Sequence, residues 1–118
     1  MANPNIVNVA TINGKTDTFA LTTSSANLVT ATANTVFKIN SILISNIDGT
    51  NAADVTIKYF DGSATRSIAS TISVPADASL SLIDKNNGFY LEENEKISGL
   101  ASANSDLECL ISYEVIAD

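Results

Sequence analysis

A chain of 118 residues is long enough to bury a core without disulfides or bound metal, and it reads as one domain over residues 1–118. Charged residues make up only 16% of it, against about 25% in average soluble domains, so its polar surface desolvates at low cost against other subunits. Thirteen acids against six bases leave a net charge of −7, and Lys15, Lys38, Lys58, Arg66, Lys85 and Lys96 are scattered singly, which argues against nucleic acid as a partner because that affinity rests on phosphate neutralisation.

The amino-terminal residues Met1-Ala2-Asn3-Pro4-Asn5 carry neither the basic region nor the apolar run of a signal peptide. No apolar stretch reaches the roughly 20 residues that span a bilayer. The lone cysteine, Cys109, allows no internal disulfide. The expectation is a soluble protein made in a cytoplasm, with no membrane partner and ordered termini.

Four of the five glycines follow Asn or Asp, at Asn13-Gly14, Asp48-Gly49, Asp61-Gly62 and Asn87-Gly88. Such pairs supply positive φ and are the strongest short-range hairpin signal. Between them lie runs rich in Ile, Val, Thr, Phe and Tyr, with no helical period. Ile6 to Ile12 has apolar residues on both faces and reads as a strand either buried on both sides or covered by a neighbouring subunit. Thr16 to Leu21 follows the first turn with Phe19 and Leu21 inward. Ala26 to Thr32 is a weaker strand, with a helical turn near Ser24 as its competitor.

In Val36 to Ser45 the inward parity changes between Phe37/Ile39 and Ile42/Ile44, which a bulge near Asn40-Ser41 would reconcile. Asp54 to Phe60 alternates cleanly, with Val55, Ile57 and Tyr59 inward. Arg66 to Val74 places Ile68, Ile72 and Val74 on one side and a strip of small residues, Ser67, Ala69, Thr71 and Ser73, on the other. Pro75 ends that strand. Leu80 and Leu82 lead to Asn87-Gly88, and Phe89 to Leu91 is followed by an acidic turn. In Lys96 to Ser102 a bulge at Gly99 would bring Ile97 and Leu100 together. Asp106 to Ile116 alternates strictly, with Leu107, Cys109, Ile111, Tyr113 and Val115 on one face. Eight to ten closely spaced strands predict an all-β fold, an antiparallel β-sandwich of jelly-roll type, with Phe37, Ile57, Tyr59, Ile72, Leu82, Leu107, Cys109 and Ile111 in its core.

The chain has no histidine, which removes the usual general base, the Ser-His and Cys-His pairs and the commonest zinc ligand. Cys109 has no cationic neighbour in sequence to activate it. Asp48, Asn51 and Asp54 ring one turn, and Glu92, Glu93 and Glu95 another. Neither matches a calcium-loop pattern, so both read as polar turns. No phosphate-binding glycine loop is present. The expectation is a protein that is not an enzyme, with no catalytic, metal or cofactor site. The flat strip Ser67, Ala69, Thr71 and Ser73 reads as a solvated face or, in the sharper reading, as a subunit contact together with Ile6, Val7 and Val9.

The runs Ile72-Ser73-Val74-Pro75-Ala76-Asp77-Ala78, Tyr90-Leu91-Glu92-Glu93, Asp106-Leu107-Glu108 and Ile111-Ser112-Tyr113-Glu114 resemble small β-rich virion proteins of tailed, especially marine, bacteriophages. Leu21-Thr22-Thr23-Ser24 and Ile39-Asn40-Ser41-Ile42 fit the same pattern. Asn94-Glu95 departs from it, since Gly before an acid is more usual there, but Asn tolerates the left-handed backbone such a turn needs. The resemblance implies a capsid decoration or cement protein on the outer surface of the phage head. Its partners would be the major capsid protein or another virion protein, and its own copies in a homotrimer. A tail or baseplate component and a glycan-binding adhesin module are the alternatives.

Overall fold

The computed structural model describes residues 4–117. The expectation of ordered termini therefore falls partly on residues 1–3 and 118, outside the described residues. Nine strands account for most of the chain: β1 (Thr11–Ala20), β2 (Ala26–Thr30), β3 (Thr35–Asn46), β4 (Ala53–Phe60), β5 (Thr65–Val74), β6 (Ser79–Ile83), β7 (Phe89–Leu91), β8 (Lys96–Ala101) and β9 (Leu107–Ala117). Among the described residues there is no helix.

The strands form two antiparallel sheets, one ordered β1-β9-β3-β6 with β7 also on β3, the other β2-β8-β4-β5. The pairing is nested. The hairpin β4–β5 is the innermost pair, β3 with β6 lies outside it, then β2 with β8, then β1 with β9. One long ribbon wrapped over itself gives this order, which is the jelly-roll sandwich.

The core lies between the sheets. β3 contributes Phe37, Ile39, Ile42 and Ile44, and β9 contributes Leu107, Cys109, Ile111 and Tyr113; facing them are Val55, Ile57, Ile97 and Ala101. The parity change in β3 is resolved as expected. Ile39 pairs with Tyr113 and Ser41 with Ser112, leaving Asn40 as the extra residue. Its amide donates to Glu114 Oε1 at 3.1 Å, so the bulged side chain has a partner. Phe37 stacks on Tyr113 at 5.0 Å between centroids, which adds aromatic attraction to the area both rings bury.

Several local expectations are overturned. Asn13-Gly14 is no hairpin: β1 runs straight through it, with Asn13 opposite Val115 and Gly14 opposite Glu114. The long apolar partner β9 supplies a complete ladder, and that outweighs the turn tendency of the pair. Ile6 to Ile12 is consequently not a strand, and only Thr11 and Ile12 of it belong to β1. No helical turn forms near Ser24. Asp48-Gly49 connects β3 to β4 in different sheets, and Asn87-Gly88 joins β6 and β7, each of which pairs with β3. Only Asp61-Gly62 makes a hairpin between paired strands, with Gly62 at φ 93°. Asp61 Oδ1 accepts from the Ser63 and Ala64 N–H groups at 2.9 and 2.8 Å, fixing the turn.

The predicted bulge at Gly99 is absent too. Ile57 pairs with Gly99 in unbroken register, and Ile97, Gly99 and Ala101 all face inward, leaving Leu100 half-buried on the other side. A Cβ there would stand 2.7 Å from Ile57 Cδ1 and 3.1 Å from Leu28 Cδ1, so any larger residue would have to push these side chains aside. In β5 the pairs Val55–Ile72 and Ile57–Ala69 enclose an extra residue, and Thr71 takes φ 53°. That bulge reverses the facing, so Ala69 is buried rather than part of an exposed strip. Ile72, expected in the core, sits beside the left-handed residue on an edge strand and stays 39% exposed. Tyr59 and Leu82 are only partly buried but pack against the core.

Two substitutions test this packing. Ile111→Ala removes a fully buried side chain from the central strand, and should lower unfolding free energy by about 2–5 kcal/mol in a denaturant titration. Gly99→Ala should cost about 1–3 kcal/mol by overpacking, whereas the same change at Gly14, where a Cβ meets nothing within 4 Å, should be close to neutral.

Candidate subunit-contact surfaces

Several of the carboxylates brace loops. Glu95 is 7% exposed, and its Oε1 accepts from the Tyr59 hydroxyl at 2.6 Å and from the Glu92 N–H at 2.9 Å. Glu93 Oε1 accepts from the Asn34 N–H at 2.5 Å. Asn94 takes φ 68°, the left-handed turn that the sequence implied. Asp48 Oδ1 accepts from the N–H groups of Thr50 and Asn51 at 2.8 and 3.2 Å, and these bonds hold its carboxyl below the usual range. Asp54 is not gathered with Asp48 and Asn51. It lies in β4, opposite Ser73. Among the described residues no three His, Cys, Asp or Glu side chains are placed to hold a metal ion.

Cys109 is buried, and burial pushes its thiol up to about 12, the opposite of an activated nucleophile. The tyrosines Tyr59 and Tyr113 are likewise raised, first by burial and then by the carboxylates they donate to, Glu95 and Asp17. The Tyr113 hydroxyl meets Asp17 Oδ2 at 2.6 Å. These pairs are structural pins: each phenol stays protonated so that its acid is satisfied.

Hollows on the surface of the described residues include these two. A shallow one of about 450 Å³ lies over β1, β9 and β3, floored by Leu43 and Leu110 beside Thr18, Ala20, Ser45 and Glu108. A smaller, apolar one of about 260 Å³ opens between the sheets, lined by Tyr59, Ile68, Ile83, Phe89 and Tyr90. Neither brings together a nucleophile, a base and an oxyanion donor.

The contact residues singled out from sequence fall into two groups. Val7 is 90% exposed and Ile6 is 50% exposed, while Val9 is half-buried; all three lie on irregular backbone before β1. In β5, Ser67, Thr71 and Ser73 are exposed, whereas Ala69 is 3% exposed and turned inward. The strip is therefore interrupted, and Ile72 joins its exposed surface. Sequence reading missed the outer surface of β1, where every position from Thr11 to Thr16 is exposed. Its signal was the Lys15/Asp17 alternation, obscured by reading a turn at Asn13-Gly14.

No family model matches the chain, and no curated protein matches it. Among solved structures it is similar to a chain from Bacillus endospore appendages, a family of disulfide-linked pili, at 15% identity and TM-score 0.56 over 100% of this chain and 98% of that one. It is also similar to a chain from the acid-stable capsid structure of Helicobacter pylori bacteriophage KHP30, at 7% identity and TM-score 0.53 over 92% of this chain and 89% of that one. Likeness at such identities is one of fold, and it extends over nearly the whole length of each chain.

The buried groups set an alkaline limit. An unfolded thiol ionises near 9, but buried Cys109 holds its proton to about 12, so the folded state binds more protons in between and loses stability as pH rises. Tyr59 and Tyr113 act in the same direction above their ordinary value of 10.0. The melting temperature should fall steadily from pH 9 to 12, and less steeply in Cys109→Ala than in wild type. Separately, Glu95→Ala leaves the Tyr59 hydroxyl without its acceptor and should cost about 1–3 kcal/mol by chemical denaturation.

Proposed function

We propose that the chain is a non-enzymatic virion structural protein of a tailed phage, a decoration or cement protein that stabilises the head shell from outside. The observation that supports it most is the fold likeness, over 92% of the chain, to a component of a phage capsid structure. The likeness to a pilus chain points the same way, toward a jelly roll used as a building block. The marine-phage resemblance of the sequence, the weakly charged surface and the use of acids as loop braces agree with it.

In this reading the partner is the major capsid protein or another virion protein, and the chain acts as a homo-oligomer with three-fold symmetry. Ile6, Val7 and Val9 supply apolar contacts, with the exposed Ser67, Thr71 and Ser73 of the bulged β5 as polar contacts beside Ile72. Ala69 drops out because it faces the core. Three modest contacts held by one trimer rebind at high effective concentration, so a weak single contact gives slow release. No nucleic acid or membrane contact is required, and among the described residues no helix is long and apolar enough to cross a membrane. A tail or baseplate position is the second reading, which the pilus likeness favours because pili, like tails, are extended appendages.

Copy number separates the two: quantitative mass spectrometry of purified virions should find on the order of hundreds of chains per particle for a head protein, and a handful for a tail component. Within the head reading, Val7→Asp should weaken shell binding about tenfold or more, while leaving the melting temperature unchanged because Val7 is 90% exposed.

A further inference from the structure

The four sheet edges of this sandwich are unlike one another. β2 and β6 are each five residues long and each sits beside a register shift. β5 is ten residues long but is broken by two register shifts and by left-handed Thr71. Short, bulged and kinked edges keep free backbone groups from recruiting another chain. β1 has none of these protections: its ten residues run in unbroken register on β9, from Thr11 opposite Ala117 to Ala20 opposite Glu108.

The direction of its free groups follows from one bond. The Leu21 N–H donates to the Leu107 carbonyl at 2.9 Å, and these two residues continue the β1–β9 register by one step. Odd-numbered residues of β1 thus turn their backbone groups toward β9. The even-numbered ones, with Thr16 at the middle, present theirs to the open side.

We propose that β1 pairs antiparallel with β1 of a second copy across a two-fold axis at Thr16, joining two five-stranded sheets into one. The only charged residues of β1 are Lys15 and Asp17, two apart and therefore on the same face. With Thr16 opposite its own copy, Lys15 of each chain meets Asp17 of the other. These are non-hydrogen-bonded positions, where cross-strand side chains approach most closely. Moving the axis to Lys15 or to Asp17 sets like charges face to face, so the charge pattern selects one register. The Tyr113 hydroxyl, 2.6 Å from Asp17 Oδ2, holds that carboxylate in place. The inference rests on the reading that the chain assembles with its own copies and is independent of its place on a particle. A two-fold contact along β1 leaves β5 and the residues before β1 open for a three-fold one.

One ladder buries less than the roughly 1,600 Å² of a stable complex, so the contact is weak alone and adds up on a lattice. The test is light scattering on the purified full chain up to about 300 µM, beside Lys15→Glu and Thr16→Pro. The Thr16 N–H faces the open side, so proline removes a donor from the free edge and none from the β1–β9 ladder. Wild type should form even-numbered assemblies, and either variant should raise the dissociation constant about tenfold or more. Lys15→Glu should do so at an unchanged melting temperature. Under oxidising conditions, Lys15→Cys chains mixed with Asp17→Cys chains should form disulfide dimers, and Lys15→Cys chains alone should not. Wild-type assembly that Lys15→Glu leaves unaltered overturns the edge pairing while self-assembly stands. A wild-type chain monomeric throughout overturns both, and cross-linking of Lys15→Cys chains to themselves overturns the register.

Discussion

Everything in this sandwich depends on the ladder between β3 and β9, kept in phase by one extra residue. Without Asn40 out of step, burying Phe37 and Ile39 would turn Ile42 and Ile44 to solvent, and half of the strand's apolar surface would be misplaced. With it, the four side chains share one face opposite Val55, Ile57 and Ile97. Both outer parts of the sheet hang from this pair: β6 and β7 on β3, and β1 on β9. A slip of one residue would move them all, so the amide of Asn40 bonded to Glu114 has an influence far beyond its own energy.

What the sequence made legible was what depends on near neighbours. The strict alternation of Leu107, Cys109, Ile111 and Tyr113 can only be a half-buried strand, and the parity change in β3 can only be a bulge. Asp61-Gly62 and Asn94 were readable because a backbone needing positive φ selects few residues. Asn13-Gly14 carried the same signal and misled, because pairing with β9 comes from residues about a hundred positions away. Thr71 was unreadable for the opposite reason: a β-branched residue rarely takes φ 53°, and the surrounding ladder imposes it. That one residue decided the facing of Ala69 and the exposure of Ile72. As for the contact surface, sequence read Ile6, Val7 and Val9 as part of a covered strand, whereas Ile6 and Val7 lie exposed on irregular backbone. Which side of a strand remains unpaired is a property of sheet order, and local pattern does not carry it.

The distribution of polar chemistry is consistent with a scaffold. Carboxylates at Asp48, Asp61, Glu93 and Glu95 accept bonds from the chain's own N–H groups. Two phenols are tied to acids, at Tyr59–Glu95 and Tyr113–Asp17. The sole thiol is sealed inside. Glu93 is committed through one oxygen only, since among the described residues its Oε2 is buried without a partner. What the molecule offers outward is backbone edge, small polar side chains and a few aliphatic residues.

The nested pairing has a consequence for how the chain reaches this state. The innermost hairpin joins Phe60 to Thr65 across a short loop, whereas Thr11 and Ala117 lie 106 positions apart. Loop closure becomes more costly with separation, so pairs should form outward from β4–β5, each completed pair shortening the loop left for the next. β1 is then the last strand to dock in folding and the first to fray in unfolding. Its amides should exchange with solvent faster than those of β3 and β4, even though its ladder has no irregularity, because β1 is an edge strand exposed from Thr11 to Thr16.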